Sequence, residues 1–311
     1  MRVLRLDAVE PGPRRVAVGA FDGIHLGHRE VIRDAECVLT FDPHPLRVLA
    51  PGSAPRLLTP LERKARLLAS LGVRELVVVP FDAAFAARSA PAFVDEVLVG
   101  ALGATRVSVG ENFRFGYRGE GGPGALRADA RFETRVVPLL EVDGAVVSST
   151  RIRALLEAGH VERAARLLGE PYAVAGEVVT GEQRGRELGY PTANLLPDPR
   201  LVGLPHGVYA CLARLEGEGG AQVAVPAAVS IGLRPTFETA LGELIEAYLL
   251  DWAGDLYGTT LELAYLRRLR GEERFDSVTE LLDQMARDVE DTRRAAAQRS
   301  EPAGLLRFRV A

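Results

Sequence analysis

GAFDGIHLGH, residues Gly19 to His28, decides how the rest of the chain is read. The stretch follows the apolar, β-prone run Arg15-Val16-Ala17-Val18 and leads into a helical pattern, the place where an α/β protein holds a nucleotide. Gly19 and Gly23 let the backbone come close to a phosphate, and the helix N-terminus beyond them offers unpaired N–H groups and a partial positive charge. His25 and His28 lie three apart, so on a first helical turn they share one face and can point at the same phosphate. Phe21, Asp22 and Gly27 complete the candidate nucleotide-binding loop. Two histidines on one phosphate at such a loop point to nucleotidyl transfer, and the pattern is neither the G-x-G-x-x-G fingerprint nor the Walker P-loop. Lys64 is the only lysine. Phosphate chemistry is therefore expected to rely on arginine, histidine, backbone and metal.

Moving outward, the first half alternates strands and helices. Cys37 to Phe41 is a strand closed by Asp42-Pro43-His44-Pro45, with Asp42 a further nucleotide-binding candidate. Thr59 is expected to cap a helix with Pro60 at its first position and Leu61, Ala65, Leu68 and Leu71 as its apolar stripe. Arg74 to Phe81 reads as a buried strand, Ala90 to Leu102 as a helix and Arg106 to Gly110 as another strand. Such alternation implies a parallel sheet with ligands at the carboxyl ends of its strands. Two loops fall there. In GENFRFG (Gly110 to Gly116), Asn112 can hydrogen-bond a ligand, and Phe113 and Phe115 can cover a flat ring or else plug the sheet end. SSTRIR (Ser148 to Arg153) precedes the helical pattern of residues 154–159. Ser148, Ser149 or Thr150 can cap that helix, and Arg151 and Arg153 add forked donors for phosphate oxygens or stay solvated.

From about Pro171 the pattern changes to successive strands, at residues 173–181, 207–215, 222–232, 244–252 and 260–269, separated by Gly/Pro turns. Strands without intervening helices point to an antiparallel sheet closed as a small barrel. An amphipathic helix from Ser277 to about Ala297 follows, with Val278, Leu281, Leu282, Met285 and Val289 on one side. Within GEQRGRELGYPTANL, Gly181 and Gly189 space a candidate nucleotide loop. Thr192 and Asn194 are two apart, so on an extended segment they face the same way and suit Mg²⁺, unless they form an ordinary turn. Glu246 lies in an otherwise apolar strand, where alternation can point it inward as a base; the other reading is a solvated face.

Composition limits the rest. The 311 residues suffice for roughly two domains, and a net charge of −4 gives no basic surface for nucleic acid. Cys37 and Cys211 form no C-x-x-C pattern, no signal segment opens the chain and no apolar run approaches the ~18 residues of a bilayer span. A cytoplasmic protein without nucleic-acid or membrane partners is expected, its oligomeric state open.

These motifs together resemble the prokaryotic bifunctional riboflavin kinase/FMN adenylyltransferase (FAD synthetase) family over nearly the whole chain. GAFDGIHLGH, LTFDPHP, GENFRFG and SSTRIR are similar to its adenylyltransferase motifs, and LGYPTANL, GVYA, IGLRPTF and LLDWAGDLYG to its kinase motifs, in order. The resemblance implies a Rossmann-like adenylyltransferase domain over 1–169, a riboflavin kinase β-barrel with its helix over 170–298, and a tail over 299–311. It implies ATP as co-substrate, riboflavin, FMN and FAD as substrate and product ligands, and Mg²⁺. Glu246 would be the kinase base, Thr192 and Asn194 Mg²⁺ ligands, and His25 and His28 the groups that stabilise the transferring phosphate. Ser148, Ser149, Thr150, Arg151 and Arg153 would grip pyrophosphate, with Asn112 and Asp42 nearby.

The chain also departs from that family. Only residues 29–36 separate His28 from Cys37, where the family carries a long helix. The alternative this suggests is a riboflavin kinase with an impaired adenylyltransferase. Ser230 stands where asparagine is common, and Tyr248 where a smaller or polar residue is; neither is expected to touch a residue assigned to chemistry.

Overall fold

The computed structural model describes residues 1–180, 189–216, 222–233, 243–298 and 309–310. The chain divides into two compact units, Met1–Ser149 and Thr150–Ala311. The first is built on six parallel strands, β1 (Arg2–Arg5), β2 (Arg14–Val18), β3 (Cys37–Asp42), β4 (Glu75–Pro80), β5 (Ala104–Gly110) and β6 (Glu133–Val137), in the order β1-β4-β3-β2-β5-β6. Both faces of the sheet are covered. Val16, Val18, Leu39, Val77 and Val107 face one side and pack with Phe93, Val97 and Leu98, whereas Ala17, Val38 and Leu76 face the other and pack with Val31, Ile32, Leu67 and Leu68. That is why these strands are continuous apolar runs rather than alternating ones. Strand order reverses between β2, which leads to β3 on one side, and β5 on the other, so the crevice at their carboxyl ends is the switch point where doubly wound sheets take ligands.

Helix α1 (Leu26–Ile32) is seven residues long and buries Val31 and Ile32, enough to complete the crossover from β2 to β3 within residues 19–36. Helix α2 (Leu61–Ser70) begins one residue later than expected: Pro60 is its N-cap and makes no side-chain cap bond. Its stripe is as expected with Leu67 added, and it also buries Arg63 and Lys64. Helix α3 (Ala90–Ala92), capped by Ser89, continues in wider π-type turns over Phe93–Ala101.

In the second unit, helices α4 (Ser149–Glu157, which starts at the unit boundary) and α5 (Val161–Leu168) precede the strands. A hairpin, β7 (Glu141–Val142) and β8 (Ala145–Val146), lies before them in the first unit. Strands β9 (Ala173–Val179), β10 (Ala193–Leu195), β11 (Gly207–Glu216), β12 (Gln222–Leu233), β13 (Glu243–Leu249) and β14 (Thr260–Arg270) run in the order β11-β14-β9-β10-β13-β12, and β12 pairs back to β11 to close the barrel. Tyr209, Cys211, Ala213, Ala227, Val229, Ala247, Leu261, Leu263 and Tyr265 are fully buried, as period-two alternation around a closed barrel requires. Short β15 (Arg309–Val310), from the tail, pairs in parallel with β12.

Helix α6 (Val278–Ala297) is capped by Ser277 and packs Ala296 against Ala173, Leu212 and Ala264 on the outside of the barrel. Its contact face departs from the expected one. Val278 is exposed, and the buried positions are Asp288, Thr292 and Ala295. The reason is polar: Asp288 accepts from Arg270 Nη2 at 2.8 Å and from Gln284 Nε2 at 2.9 Å, so the helix is docked by a partly buried ion pair in its second half.

Candidate functional site

The Gly19–His28 loop leaves β2 and enters α1 in a strained conformation. Phe21 and Ile24 have φ of 48° and 43°, unusual for residues with side chains and most of all for β-branched Ile24, and Gly23 sits at 97°. Burial holds the strain: Phe21 and Ile24 are both buried, and the Phe21 ring lies against Gly19, where an added Cβ would come within 3.0 Å of it. His25 is the N-cap of α1 rather than part of its first turn. Its Nδ1 accepts from the His28 N–H at 3.2 Å, which leaves Nε2 to carry the ring proton when the imidazole is neutral. The two imidazoles stack, centroids 3.5 Å apart and 17° from parallel, with the Phe21 ring edge-on to His28 at 5.3 Å. Gly27 makes room for this: a Cβ there would meet Cε1 and Nδ1 of His25 at 3.3 Å.

Asp22 points inward. Its carboxylate is buried and accepts the backbone N–H groups of Leu58 and Thr59 at 3.0 Å, so these contacts shape the loop from behind. The Asp22 carbonyl accepts from Ser149 Oγ at 2.8 Å. Ser149 is thus the first residue of α4 and a link to the loop. The helix begins five residues before the expected pattern and takes in Thr150, Arg151 and Arg153, of which Thr150 is exposed and Arg153 buried. Ser148, half-buried, precedes it.

Asp42 ends β3 and is exposed, and Asn112 is exposed just past the end of β5. The two phenylalanines separate. Phe115 is buried in the core, 5.3 Å from the Phe93 ring, so it plugs the sheet end; half-buried Phe113 stacks on it at 5.7 Å and keeps an accessible side.

Sequence reasoning missed Lys64. This lysine is buried beneath the loop, where Nζ donates to the Ala20 carbonyl at 2.7 Å and approaches Thr40 Oγ1 at 3.5 Å. Burial pushes its ammonium below the ordinary lysine range, against the opposing pull of the Asp22 and Asp42 carboxylates. The signal was in the sequence as a single lysine on a helix's apolar side. Cys37 and Cys211 are buried free thiols, Cys37 pushed up to about 12 by burial, so neither is poised as a nucleophile.

In the barrel, register gathers three polar residues into a row: Asn194 of β10 stands opposite Glu246 of β13, and Glu246 opposite Ser230 of β12. Contrary to the inward expectation, Glu246 is on the outer face. Ile245, Ala247 and Leu249 take the interior, and period-two alternation turns the half-buried Glu246 out. Asn194 is buried and Ser230 exposed, so the row runs from covered to open. Ser230, expected to stand clear of the chemistry, is a direct cross-strand neighbour of Glu246. Tyr248 meets Tyr190 edge-to-face at 5.1 Å, two residues from half-buried Thr192. Gly189 adopts φ 84°, whereas Gly181 and the Arg-Pro-Thr-Phe part of IGLRPTF lie outside the described residues. Among the described residues no group of three or more His, Cys, Asp or Glu forms a metal cluster, and no helix is long and apolar enough to cross a membrane.

Comparison with known proteins follows the division into units. The family described as FAD synthetase matches residues 8–151, and that described as riboflavin kinase matches 168–296. Bifunctional riboflavin kinase/FMN adenylyltransferases are similar across both: that of Listeria monocytogenes is 39% identical over 89% of this chain and 91% of its own length, and that of Bacillus subtilis 36% over 89% and 90%. A solved Streptococcus pneumoniae chain described as a macrolide-efflux protein superposes with a TM-score of 0.82 at 32% identity, covering 94% of this chain and 98% of that one.

Proposed function

The chain belongs to the bifunctional riboflavin kinase/FMN adenylyltransferase family, and from that premise we propose how its residues divide the work. The protein phosphorylates riboflavin with ATP to give FMN and ADP, and joins FMN to the adenylyl group of a second ATP to give FAD and pyrophosphate. The alternative of a kinase with an impaired adenylyltransferase is not favoured, because short α1 still completes the crossover and the FAD synthetase match runs through the first unit from residue 8 to its end.

For adenylyl transfer, the observation that carries the reading is the stacked His25–His28 pair at the carboxyl end of β2. An FMN phosphate oxygen attacks the α-phosphorus of ATP and pyrophosphate leaves. His25, with its proton directed to Nε2, and His28 stabilise the charge that grows on that phosphate. Ser148, Ser149, Thr150, Arg151 and Arg153 hold the pyrophosphate, Asn112 and Asp42 orient the substrates, and the accessible side of Phe113 takes the flavin ring, Phe115 backing it from the core.

For phosphoryl transfer, Glu246 accepts the proton of the riboflavin 5′-hydroxyl as its oxygen attacks the γ-phosphorus of ATP. The hydroxyl of Thr192 and the side-chain carbonyl of Asn194, beside Glu246, are hard oxygen donors and suit Mg²⁺, which takes its remaining ligands from water and phosphates. Bound there, the cation would neutralise charge on the β- and γ-phosphates. A cytoplasmic setting, with ATP at hand, goes with this reading.

The test separates the units by product. Given riboflavin, ATP and Mg²⁺, the protein should yield FMN and then FAD. Glu246→Gln should lower FMN formation at least about a hundredfold and leave FMN-to-FAD conversion intact, with His28→Ala doing the reverse. Loss of both products in either variant, with both units folded, would reject the two-site assignment.

A further inference from the structure

Lys64 poses a question the two activities leave unanswered. It is the sole lysine of 311 residues, yet it is buried, with no face to offer a phosphate. Two donors converge on one carbonyl behind the loop, and a buried carboxylate lies close enough to act on the ammonium through its charge. Lys64 Nζ donates to the Ala20 carbonyl at 2.7 Å, Thr40 Oγ1 donates to the same oxygen at 3.1 Å, and the buried Asp22 carboxylate two residues on accepts from Leu58 and Thr59 N–H. Ala20 sits directly between Val18-Gly19, still tied to the sheet by the Gly19 N–H to Leu39 carbonyl bond, and Phe21, the first residue forced to positive φ. A strained turn of this kind persists only when its surroundings over-determine it. The Ala20 carbonyl is the point at which the last sheet residue hands over to the strained ones.

We propose that Lys64 is a positioning residue for adenylyl transfer: without touching substrate, its buried ammonium pins the Ala20 carbonyl and balances Asp22, fixing the loop that presents His25 and His28. This rests on the assignment of adenylyl transfer to that loop. A charged donor fits the position better than a neutral one. Asp22 is a carboxylate taken out of water behind a loop meant to receive a polyphosphate, and a buried charge needs a counter-charge nearby. The Lys64 stem meanwhile lies along the apolar side of α2, so that one side chain joins the helix, β3 through Thr40 and the loop.

Two measurements test this on the full-length protein. Lys64→Met keeps the stem and removes the charge. Its kcat for FMN-to-FAD conversion should fall at least tenfold with KM for FMN and ATP within threefold, while riboflavin phosphorylation, in the other unit, stays within twofold. An unchanged kcat per folded molecule, even with a lower Tm, would make Lys64 a merely structural residue and overturn the proposal. If Lys64→Met does not fold, Thr40→Val, which removes the other donor to the same carbonyl, should show a smaller loss of the same kind, and wild-type kcat there would count against it. The second measurement needs no variant. Lysine-selective ¹³C labelling gives a single ε-methylene signal, because the chain has one lysine. That signal should shift on saturation with α,β-methylene ATP, and an immobile signal overturns the proposal. A wild-type protein that makes FMN but never FAD would instead reject the loop's assignment, and the role of Lys64 would fall with it.

Discussion

Replacing Gly27 with alanine should lower activity while leaving stability almost unchanged. Gly27 has no positive φ and lies inside α1, so alanine is the better residue for the backbone by about 0.5–1 kcal/mol. Its Cβ, however, would stand 3.3 Å from Cε1 and Nδ1 of His25, tighter than ordinary contact, so the imidazole must move by a few tenths of an ångström. The ring cannot yield freely. It is stacked on His28 at 3.5 Å and bonded through Nδ1 to the His28 N–H at 3.2 Å, already long, and a small shift takes that bond to the edge of usefulness. Weakening one such bond costs about 0.5–1.5 kcal/mol, which roughly cancels the helix gain, so Tm should change little. Catalysis is less forgiving: full removal of a donor to a developing oxyanion lowers kcat about a hundredfold or more, so partial misplacement should cost on the order of tenfold. The assay is FAD formation from FMN and ATP, with riboflavin phosphorylation in the same sample as control. Wild-type FAD formation in Gly27→Ala would refute the argument that the position of the His25 ring limits the reaction.

Other expectations concern stability. Glu75, at the start of β4 and remote from the carboxyl ends of the strands, accepts from Arg14 Nε at 2.7 Å and pairs with Arg2; chiefly the Arg14 bond holds its carboxyl below the usual range. Because the folded value lies below the unfolded one of about 4.3, its contribution is present above that pH and is lost as pH falls through the folded value. Glu75→Gln should therefore lower urea stability of the first unit by about 1–3 kcal/mol at pH 7, and the gap to wild type should close in acid; a gap that persists or widens there contradicts the sign. Asp288→Ala leaves half-buried Arg270 without its main partner and should destabilise the barrel unit by about 1–3 kcal/mol. On heating, FMN formation should then fail before FMN-to-FAD conversion, and joint loss of the two would show that the pair does not act locally. Ser149→Ala removes the donor to the Asp22 carbonyl and should reduce FAD formation several-fold with FMN formation unchanged, which rate measurements on the two half-reactions would check.

How much was legible depends on what each residue's role needs. The parallel sheet and the barrel follow from periodicity, because Val16-Ala17-Val18 and Leu76-Val77 bury on both faces while Ile245, Ala247 and Leu249 alternate with Glu246. Helix boundaries were less legible. Pro60 took the cap expected of Thr59, whose N–H was claimed by Asp22, and α4 began at Ser149, whose hydroxyl reached the Asp22 carbonyl. Both shifts come from partners that lie 37 and 127 residues away in the chain, which local propensity cannot register. Side-chain direction was the other gap. Glu246 was expected inside because its neighbours are apolar, yet those neighbours fill the barrel and turn it outward, beside Ser230 and Asn194.

The sequence by itself determined the two architectures, the order of the motifs and the pair of histidines three residues apart, since these rest on residue type and spacing along the chain. Only the tertiary structure decided that His25 caps the helix and stacks on His28, that Phe115 belongs to the core while Phe113 keeps a free side, and that the one lysine lies behind the loop holding the Ala20 carbonyl. Those outcomes depend on which distant groups compete for a buried proton donor or a limited volume. That competition is settled only when the strands and helices have packed.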